Sequence, residues 1–433
     1  MANRISQIWK VKDLRNRIII VALLLVATRV LAHIPIPGID VTSLRALLNN
    51  NQLLGLFDIF SGGGLRNFSI VMLGIGPYIT ASIIIQLLTI IIPSLGELSK
   101  EGGEAGRMKI NQYMRYLTVF LTPIQGYGTI LLLARTSNID ITSGFTPFQW
   151  FVTLLSITTG TMILLWLGEI ISEYKIGNGI SLIIFAGIVA RLPTAAQQAY
   201  LSLTNSSSVL SPQNLITALS YLAVAVVVIG AVVLITEAQR NIPVSYAKRI
   251  RGNKMYGGVN THLPLRVNQA GVIPIIFAIS ILLFPGLIAN FFANAKTVFI
   301  AHAATAINNF FQNPTYQGIV YFILVVAFTY FYTAIVFNPE EISENIQKQG
   351  GFIPGLRPGL QTAEFLYKVL NRITLVGAIF LGLVAVLPNI IQAFTHTQSL
   401  TLGGTSLLIV VSVVIEVMKQ VQSQMVMRDY EDF

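Results

Sequence analysis

Residues whose types and spacing could support catalysis or metal binding are few in this chain and lie far apart. It contains no cysteine, which excludes disulfides, cysteine-ligated zinc and thiol chemistry. Its four histidines, His33, His262, His302 and His396, have no ligand spacing, and no Gly-x4-Gly-Lys-Ser/Thr loop is present to bind ATP. We therefore expect no metal, no cofactor and no catalytic residue.

The elements that must position the remaining polar side chains are strongly apolar. Of the 433 residues, 54% are hydrophobic and only 11% are charged, whereas about 25% of a soluble domain is charged. Ten apolar runs approach the length that crosses a bilayer, and they lie at 18–34, 70–92, 113–133, 150–171, 178–200, 214–236, 269–290, 317–337, 373–392 and 405–424. The sequence therefore predicts an all-α polytopic membrane protein with ten transmembrane helices.

Basic residues indicate the orientation of these spans. Twenty-two of the 28 lysines and arginines lie on the side that carries both termini, and five lie on the other side. Because cytoplasmic loops are enriched in Lys and Arg, we expect both termini in the cytoplasm. The basic residues are spread between apolar runs, so the net charge of +10 does not indicate a nucleic-acid partner.

Corresponding spans in the two halves of the chain share motifs. Gly-x-x-Pro-x-Ile opens the second and seventh spans, at 74–79 and 271–276. Gly-x-Ser-Leu-x-Ile opens the fifth and tenth, at 179–184 and 404–409. Because each half would hold an odd number of helices, the repeat predicts two inverted, pseudo-symmetric halves.

Two spans are interrupted, which keeps a second class of function open. A glycine-rich stretch at 53–64 precedes the second span, and Arg191 and Pro193 shorten the fifth. Broken helices of this kind also occur in secondary transporters, the main alternative function. The spans carry few ionisable residues, such as Arg29 and Glu416, of the kind that ion-coupled transport uses. An intramembrane enzyme would need a catalytic dyad, and we find none.

Two long loops on the cytoplasmic side, 237–268 and 338–372, contain clusters of basic residues. They are either solvated loops that set the topology or a docking surface for an acidic partner. Glycine and proline on both sides of Arg357 favour a docking surface, because they fix a rigid turn that presents one guanidinium group.

Four segments carry a resemblance to a known family, at 74–88, 177–190, 261–277 and 351–359. Together with the order of all ten spans, they resemble the SecY family, whose members are central subunits of the bacterial protein-translocation channel. The resemblance implies an hourglass pore between two halves, residues 1–200 and 201–433. It also implies a function, which is to pass unfolded preproteins across the cytoplasmic (inner) membrane and to release signal and transmembrane segments sideways into lipid.

The resemblance further implies partners. The SecA motor ATPase or the ribosome would drive the channel, and the small membrane subunits SecE and SecG would accompany it. The residues that match the family's docking loops are Lys248, Arg249, Arg251, Lys254 and Arg357. Relatives often have two adjacent basic residues at the tip of the first loop, and here the tip reads Asn253-Lys254, so one of those charges is absent.

A pore ring of six isoleucines is also implied by the resemblance, and its members are Ile75, Ile79, Ile180, Ile184, Ile276 and Ile409. A ring of β-branched apolar side chains dewets when closed, which blocks ions, and it deforms around a passing chain. Without the resemblance, isoleucines at these positions would be interpreted as packing or lipid-facing residues.

A plug and a lateral gate complete the set of implied sites. The plug covers about 55–67 and contains Phe60, Ser61, Gly62, Gly63 and Gly64. The gate lies between the second and seventh spans, and its candidate residues are Thr80, Ser82, Gln86, Asn268 and Phe284. Hydrogen bonds between membrane helices contribute only about 0.6 kcal/mol each on average, which suits a seam that must open.

Overall fold

The computed structural model describes residues 11–36, 61–100, 103–137, 145–204, 212–246, 249–251, 254–256, 260–292, 298–395 and 404–431. Phe60, Lys248, Asn253 and the part of the predicted plug before Ser61 lie outside these residues. Only the backbone is described at Arg249, Arg251, Lys254 and Phe284.

Thirteen helices form in the described residues. In chain order they are α1 (Lys12–Leu31), α2 (Gly76–Ile91), α3 (Pro93–Lys100), α4 (Gly103–Ser137), α5 (Pro147–Glu173), α6 (Gly179–Thr204), α7 (Pro212–Glu237), α8 (Ile273–Phe292), α9 (Val298–Gln312), α10 (Pro314–Val336), α11 (Pro339–Lys348), α12 (Leu360–Thr395) and α13 (Gly404–Glu431). All except α3, α9 and α11 coincide with predicted spans. Of the described helices, five are long and apolar enough to cross a membrane, and four apolar ones are shorter. The protein is polytopic, and its membrane part is all-α as predicted.

Several helix boundaries follow directly from local sequence. Three helices begin with a polar N-cap followed at once by proline, at Thr146-Pro147, Asn313-Pro314 and Asn338-Pro339. The cap side chain accepts a hydrogen bond from a backbone N–H of the first turn, and proline lacks only an N–H that would have no partner there.

The second predicted span is broken, as expected, but its helix is shorter than predicted. Residues 61–75 form turns, and α2 begins at Gly76, so the predicted start at 70 is wrong. Gly74 has φ of +56°, a conformation that glycine adopts without strain. Pro77 lies in the first turn of α2, where its fixed φ favours the start of a helix.

The turn segment is covered by protein, as a non-helical backbone at membrane depth must be. Phe68 packs with Ile130 of α4 and Ile157 of α5 in a small hydrophobic cluster. An antiparallel bridge pairs Pro35, just after α1, with Ser69. The interruption in the second span is therefore a buried, hydrogen-bonded element and not a surface loop.

The two repeated motifs occupy equivalent backbone positions. Gly74 and Gly271 have φ of +56° and +64°, and each lies two residues before a helix, α2 or α8. In the second motif, Gly179 and Gly404 are the first residues of α6 and α13. The isoleucine that ends each motif therefore falls at the same helical position in both halves.

Short strands appear in the long loops, which the sequence did not predict. The strands β1 (Gln239–Tyr246), β4 (Asn260–Arg266) and β5 (Gly351–Phe352) form an antiparallel sheet in the order β4-β1-β5. A separate hairpin pairs β2 (Arg249–Arg251) with β3 (Lys254–Tyr256).

The sheet joins the two long loops into one unit. Val244 and Leu265 of the sheet pack with Ile346 of α11 and Leu366 of α12 in one apolar core. We call this unit, made of β1, β4, β5, α11, the turn at 353–359 and the first turns of α12, the loop body. The two long loops are therefore parts of a single folded body.

Candidate functional site

The six isoleucines of the predicted ring lie together in the structure. Five of them are buried in one hydrophobic cluster, with exposed fractions between 1% and 6%, and Ile180 packs against it. They come from the motif ends of α2, α6, α8 and α13, with Ile75 as the N-cap of α2. The cluster also contains residues of α1, α7, α10 and α12. The six isoleucines are therefore part of the same hydrophobic core that packs these helices together.

A partly buried arginine contacts the first described residues of the predicted plug. Arg29 of α1 donates a hydrogen bond from Nη1 to the carbonyl oxygen of Gly62 at 2.6 Å. Its Nε is buried and has no partner among the described residues. Ser61 and Gly62 line the same small cavity as Arg29 and Ile75, so the predicted plug lies next to a residue of the predicted ring.

The described part of the predicted plug also fits closely against α6. A Cβ atom on Gly187 would lie only 2.6 Å from Cα of Gly62 and 3.6 Å from Nη1 of Arg29. Gly62 and Gly63 have φ of +67° and +84°, which glycine adopts readily. The seated position of this segment therefore depends on glycine on both sides of the contact.

Neither the role of Arg29 nor that of Gly187 was predicted. A basic residue within an apolar span is a signal of function, because a charge inside the membrane is costly. Arg29 could have been singled out on that ground, although its partner is 33 residues away. Gly187 carried no such signal, since glycine is frequent in transmembrane helices.

Helices α2 and α8 pack against each other and form the seam that was predicted as the lateral gate. α4 packs against both of them, and α10 lies against α8. On the α8 side, the ring of Phe277 meets the rings of Phe328 and Tyr332 of α10 edge-on, with centroids 6.0 and 6.2 Å away. The aromatic contacts tie α8 to α10, and aliphatic residues of both α2 and α8, such as Ile79 and Ile279, belong to one hydrophobic cluster.

The candidate gate residues do not bridge this seam with their hydrogen bonds. Thr80 accepts a hydrogen bond from Nε2 of Gln125 in α4 at 3.3 Å, and the Ser82 hydroxyl donates to the backbone of its own helix at 2.8 Å. The side-chain amide of Asn268 donates to its own turn, at the start of α8. Oε1 of Gln86 and Oδ1 of Asn268 are buried without a partner among the described residues.

Arg357 lies exposed on a well-defined turn of the loop body. The hydroxyl of Thr362 donates to the carbonyl oxygen of Arg357 at 2.9 Å, and the hydroxyl of Ser343 donates to that of Gly359 at 2.7 Å. Gly355 and Gly359 have φ of +86° and +97°. The rigid turn expected from the glycines and prolines is therefore present.

The other described docking candidates lie in the second hairpin. Its backbone pairs Arg251 directly with Lys254, and Arg249 lies two residues earlier on the same strand. The hairpin therefore groups these three basic residues, although they are not part of the same turn as Arg357.

Comparisons with known proteins agree over nearly the whole chain. The sequence profile of the SecY family matches residues 69–418. The protein translocase subunit SecY of Thermotoga maritima is 42% identical over 433 residues, which cover 98% of this chain and 96% of that protein.

Solved structures share the fold at lower identity. A structure reported for the plug domain of the SecY protein has a TM-score of 0.65 at 21% identity and covers 94% of this chain and 91% of its own. The channel of a canine ribosome-channel complex from the endoplasmic reticulum has a TM-score of 0.60 at 18% identity, with the same coverage. The profile match and the full-length identity show that this chain belongs to the SecY family.

Proposed function

We propose that this protein is a protein-conducting channel that passes unfolded preproteins across the cytoplasmic membrane and releases signal and transmembrane segments into lipid. The observation that carries this proposal is the convergence of six isoleucines from four helices, at matching positions of two inverted halves, in one apolar cluster beside the plug. An apolar constriction blocks ions by dewetting and makes no specific contacts with the side chains of a passing chain.

The channel would be passive and powered by a bound partner. The loop body and the second hairpin present basic residues on the side of the termini, which the distribution of Lys and Arg assigns to the cytoplasm. We propose that SecA or the ribosome docks there, and that SecE and SecG are the membrane partners. The similar channel from the endoplasmic reticulum, which is bound to a ribosome, supports the ribosome as a docking partner.

Lateral release would use the seam between α2 and α8. On the α2 side, Thr80 is bonded to α4, and on the α8 side Phe277 is packed on α10. Each side is thus internally tied, while within the described part of the chain the candidate gate residues form no hydrogen bond across the seam. Two packed bodies with no such bonds between them can part without losing hydrogen bonds. The oxygens of Gln86 and Asn268, which have no partner among the described residues, would then become available to an incoming segment.

Substitution of Gly187 by alanine is expected to displace the plug and raise ion leak. The added methyl group would meet the backbone of Gly62 at 2.6 Å, a distance that requires the backbone to shift. A cysteine introduced at Ser61, which is only 4% exposed, reports on this movement because the chain has no other cysteine. We expect faster labelling of this cysteine by a membrane-impermeant maleimide, together with increased chloride efflux from proteoliposomes.

Gly128 offers a matched control. It lies inside α4, and an added Cβ would meet nothing within 4 Å, so Gly128→Ala should change neither labelling nor efflux. If Gly187→Ala also leaves both unchanged, the segment around Gly62 does not act as a plug.

The proposed function itself is tested by purification and reconstitution. We expect a small membrane subunit and SecA to co-purify with the chain, and proteoliposomes that contain these partners to import a secretory precursor when ATP is supplied. Uptake of a small solute driven by an ion gradient, without precursor import, would instead support a secondary transporter.

A further inference from the structure

The helix α9 has a surface that the channel function leaves unexplained. It lies between α8 and α10 in the chain and packs against both. Its 15 residues span only about 22 Å at 1.5 Å per residue, which is shorter than the hydrocarbon core of about 30 Å. It therefore does not cross the membrane, although it contains no Lys, Arg, Asp or Glu.

Three faces run along α9. The face toward the protein carries Ala301, Ala304, Asn308 and Phe311, of which Ala304 is buried and the others are intermediate. A second face carries the exposed polar residues His302, Thr305 and Asn309, and a third carries the exposed apolar residues Phe299, Ala303, Ile307 and Phe310. Spacings of three and four residues place each set on one side of a helix.

The apolar face is large and exposed. Phe299 is 81% exposed, and Ile307 and Phe310 are 43% and 42% exposed. Single exposed apolar residues are common on protein surfaces, but a stripe of them beside a polar stripe is typical of a helix in a membrane interface.

This stripe continues into the outward surface of a membrane span. The ring of Phe310 stacks on that of Tyr316 in the first turn of α10, with centroids 5.1 Å apart and an interplanar angle of 6°. Tyr316, Ile319 and Ile323 then follow one face of α10, and each is at least half exposed. Lipid covers that face of a transmembrane helix, and tyrosine is enriched at the level of the headgroups. Continuity with this surface identifies lipid as the occupant.

We propose that α9 is an interfacial helix whose stripe of Phe299, Ala303, Ile307 and Phe310 inserts into the leaflet opposite the termini. The polar stripe faces water, and the face that carries Ala304 rests on α8 and α10. Because α9 has no charged residue, insertion depends on apolar burial and not on anionic lipid. The helix thereby anchors the adjoining ends of α8 and α10 at a fixed depth in the membrane.

Single cysteines test this arrangement in the full chain, which has none of its own. Phe299→Cys and Ile307→Cys report on the apolar stripe, and His302→Cys and Asn309→Cys on the same helix are the matched controls. Each variant is labelled with an environment-sensitive fluorophore and reconstituted without translocation partners into phosphatidylcholine vesicles. Quenching is measured with lipid that is spin-labelled near the headgroup and, separately, with iodide in the water.

We expect the lipid quencher to act several times more strongly at residues 299 and 307 than at 302 and 309, and iodide to show the reverse order. Added phosphatidylglycerol should not change this pattern. Equal quenching on both faces would overturn the proposal, as would a requirement for anionic lipid. Protection of 299 and 307 from both quenchers would mean that protein covers the stripe, which also contradicts lipid insertion.

Discussion

Replacement of Arg357 by glutamate is expected to abolish partner-driven secretion while the protein still inserts into the membrane. The exposed side chain projects from a turn whose carbonyl groups are bound by the hydroxyls of Thr362 and Ser343, so its position is fixed before a partner arrives. Reversal of the charge turns an attraction to an acidic partner into a repulsion, and like charges brought together at an interface cost several kcal/mol. ATP-dependent import of a precursor into proteoliposomes measures the effect.

Two further variants separate this role from general effects of charge. Arg240→Glu makes the same change at another exposed position of the loop body, on β1, and should leave most secretion intact. Arg357→Lys keeps the charge but loses the planar, bidentate donor, so we expect an intermediate rate. If Arg357→Glu secretes normally, the docking assignment is wrong. If Arg240→Glu is equally inactive, the partner responds to the overall charge of the loop body and not to this turn.

Local rules explain why so much of the membrane part could be predicted. Gly74 and Gly271 adopt positive φ values just before α2 and α8, and a glycine followed by proline carries that information in the sequence itself. The apolar runs likewise correspond to helices. In a bilayer, a helix is one of the few structures that pair every backbone N–H and C=O group within the protein.

The parts that could not be predicted depend on contacts between distant residues. β1 contains Asn241 and Pro243, which do not favour a strand, and it forms because β4 and β5 pair with both of its edges. β5 joins it from about a hundred residues away. The contact of Gly187 with Gly62 is similar, since nothing near either glycine in the sequence points to the other. The apolar stripe on α9 is present in the local sequence, but a helix of 15 residues is shorter than a membrane span and was therefore not predicted.

The ring isoleucines are expected to hold back ions even without a moving chain. Simultaneous replacement of Ile79, Ile184, Ile276 and Ile409 by glycine removes one apolar side chain from each of the four helices and leaves room for water at the constriction. Because a barrier lowered by about 1.4 kcal/mol corresponds to a tenfold faster rate, even a modest gain in hydration should raise ion leak by about tenfold or more. Chloride efflux from proteoliposomes without partners measures it, and unchanged efflux would remove the sealing role.

These residues also stabilise the core, since loss of a buried isoleucine side chain costs about 2–5 kcal/mol, so the leak must be distinguished from loosening of the fold. Ile242→Gly is the control, because Ile242 is buried in the separate core of the loop body, and it should destabilise the protein without raising efflux. Ser61 and Gly62 of the predicted plug line the same cavity as Ile75, an arrangement that would put the ring and the plug in series along the path of an ion. Two barriers in series both limit the flux of ions. When one seal is weakened by a substitution, the other still restrains the leak. The ring variant combined with Gly187→Ala should therefore leak more than the sum of the two, and a merely additive leak would mean that ions have separate routes past the two seals.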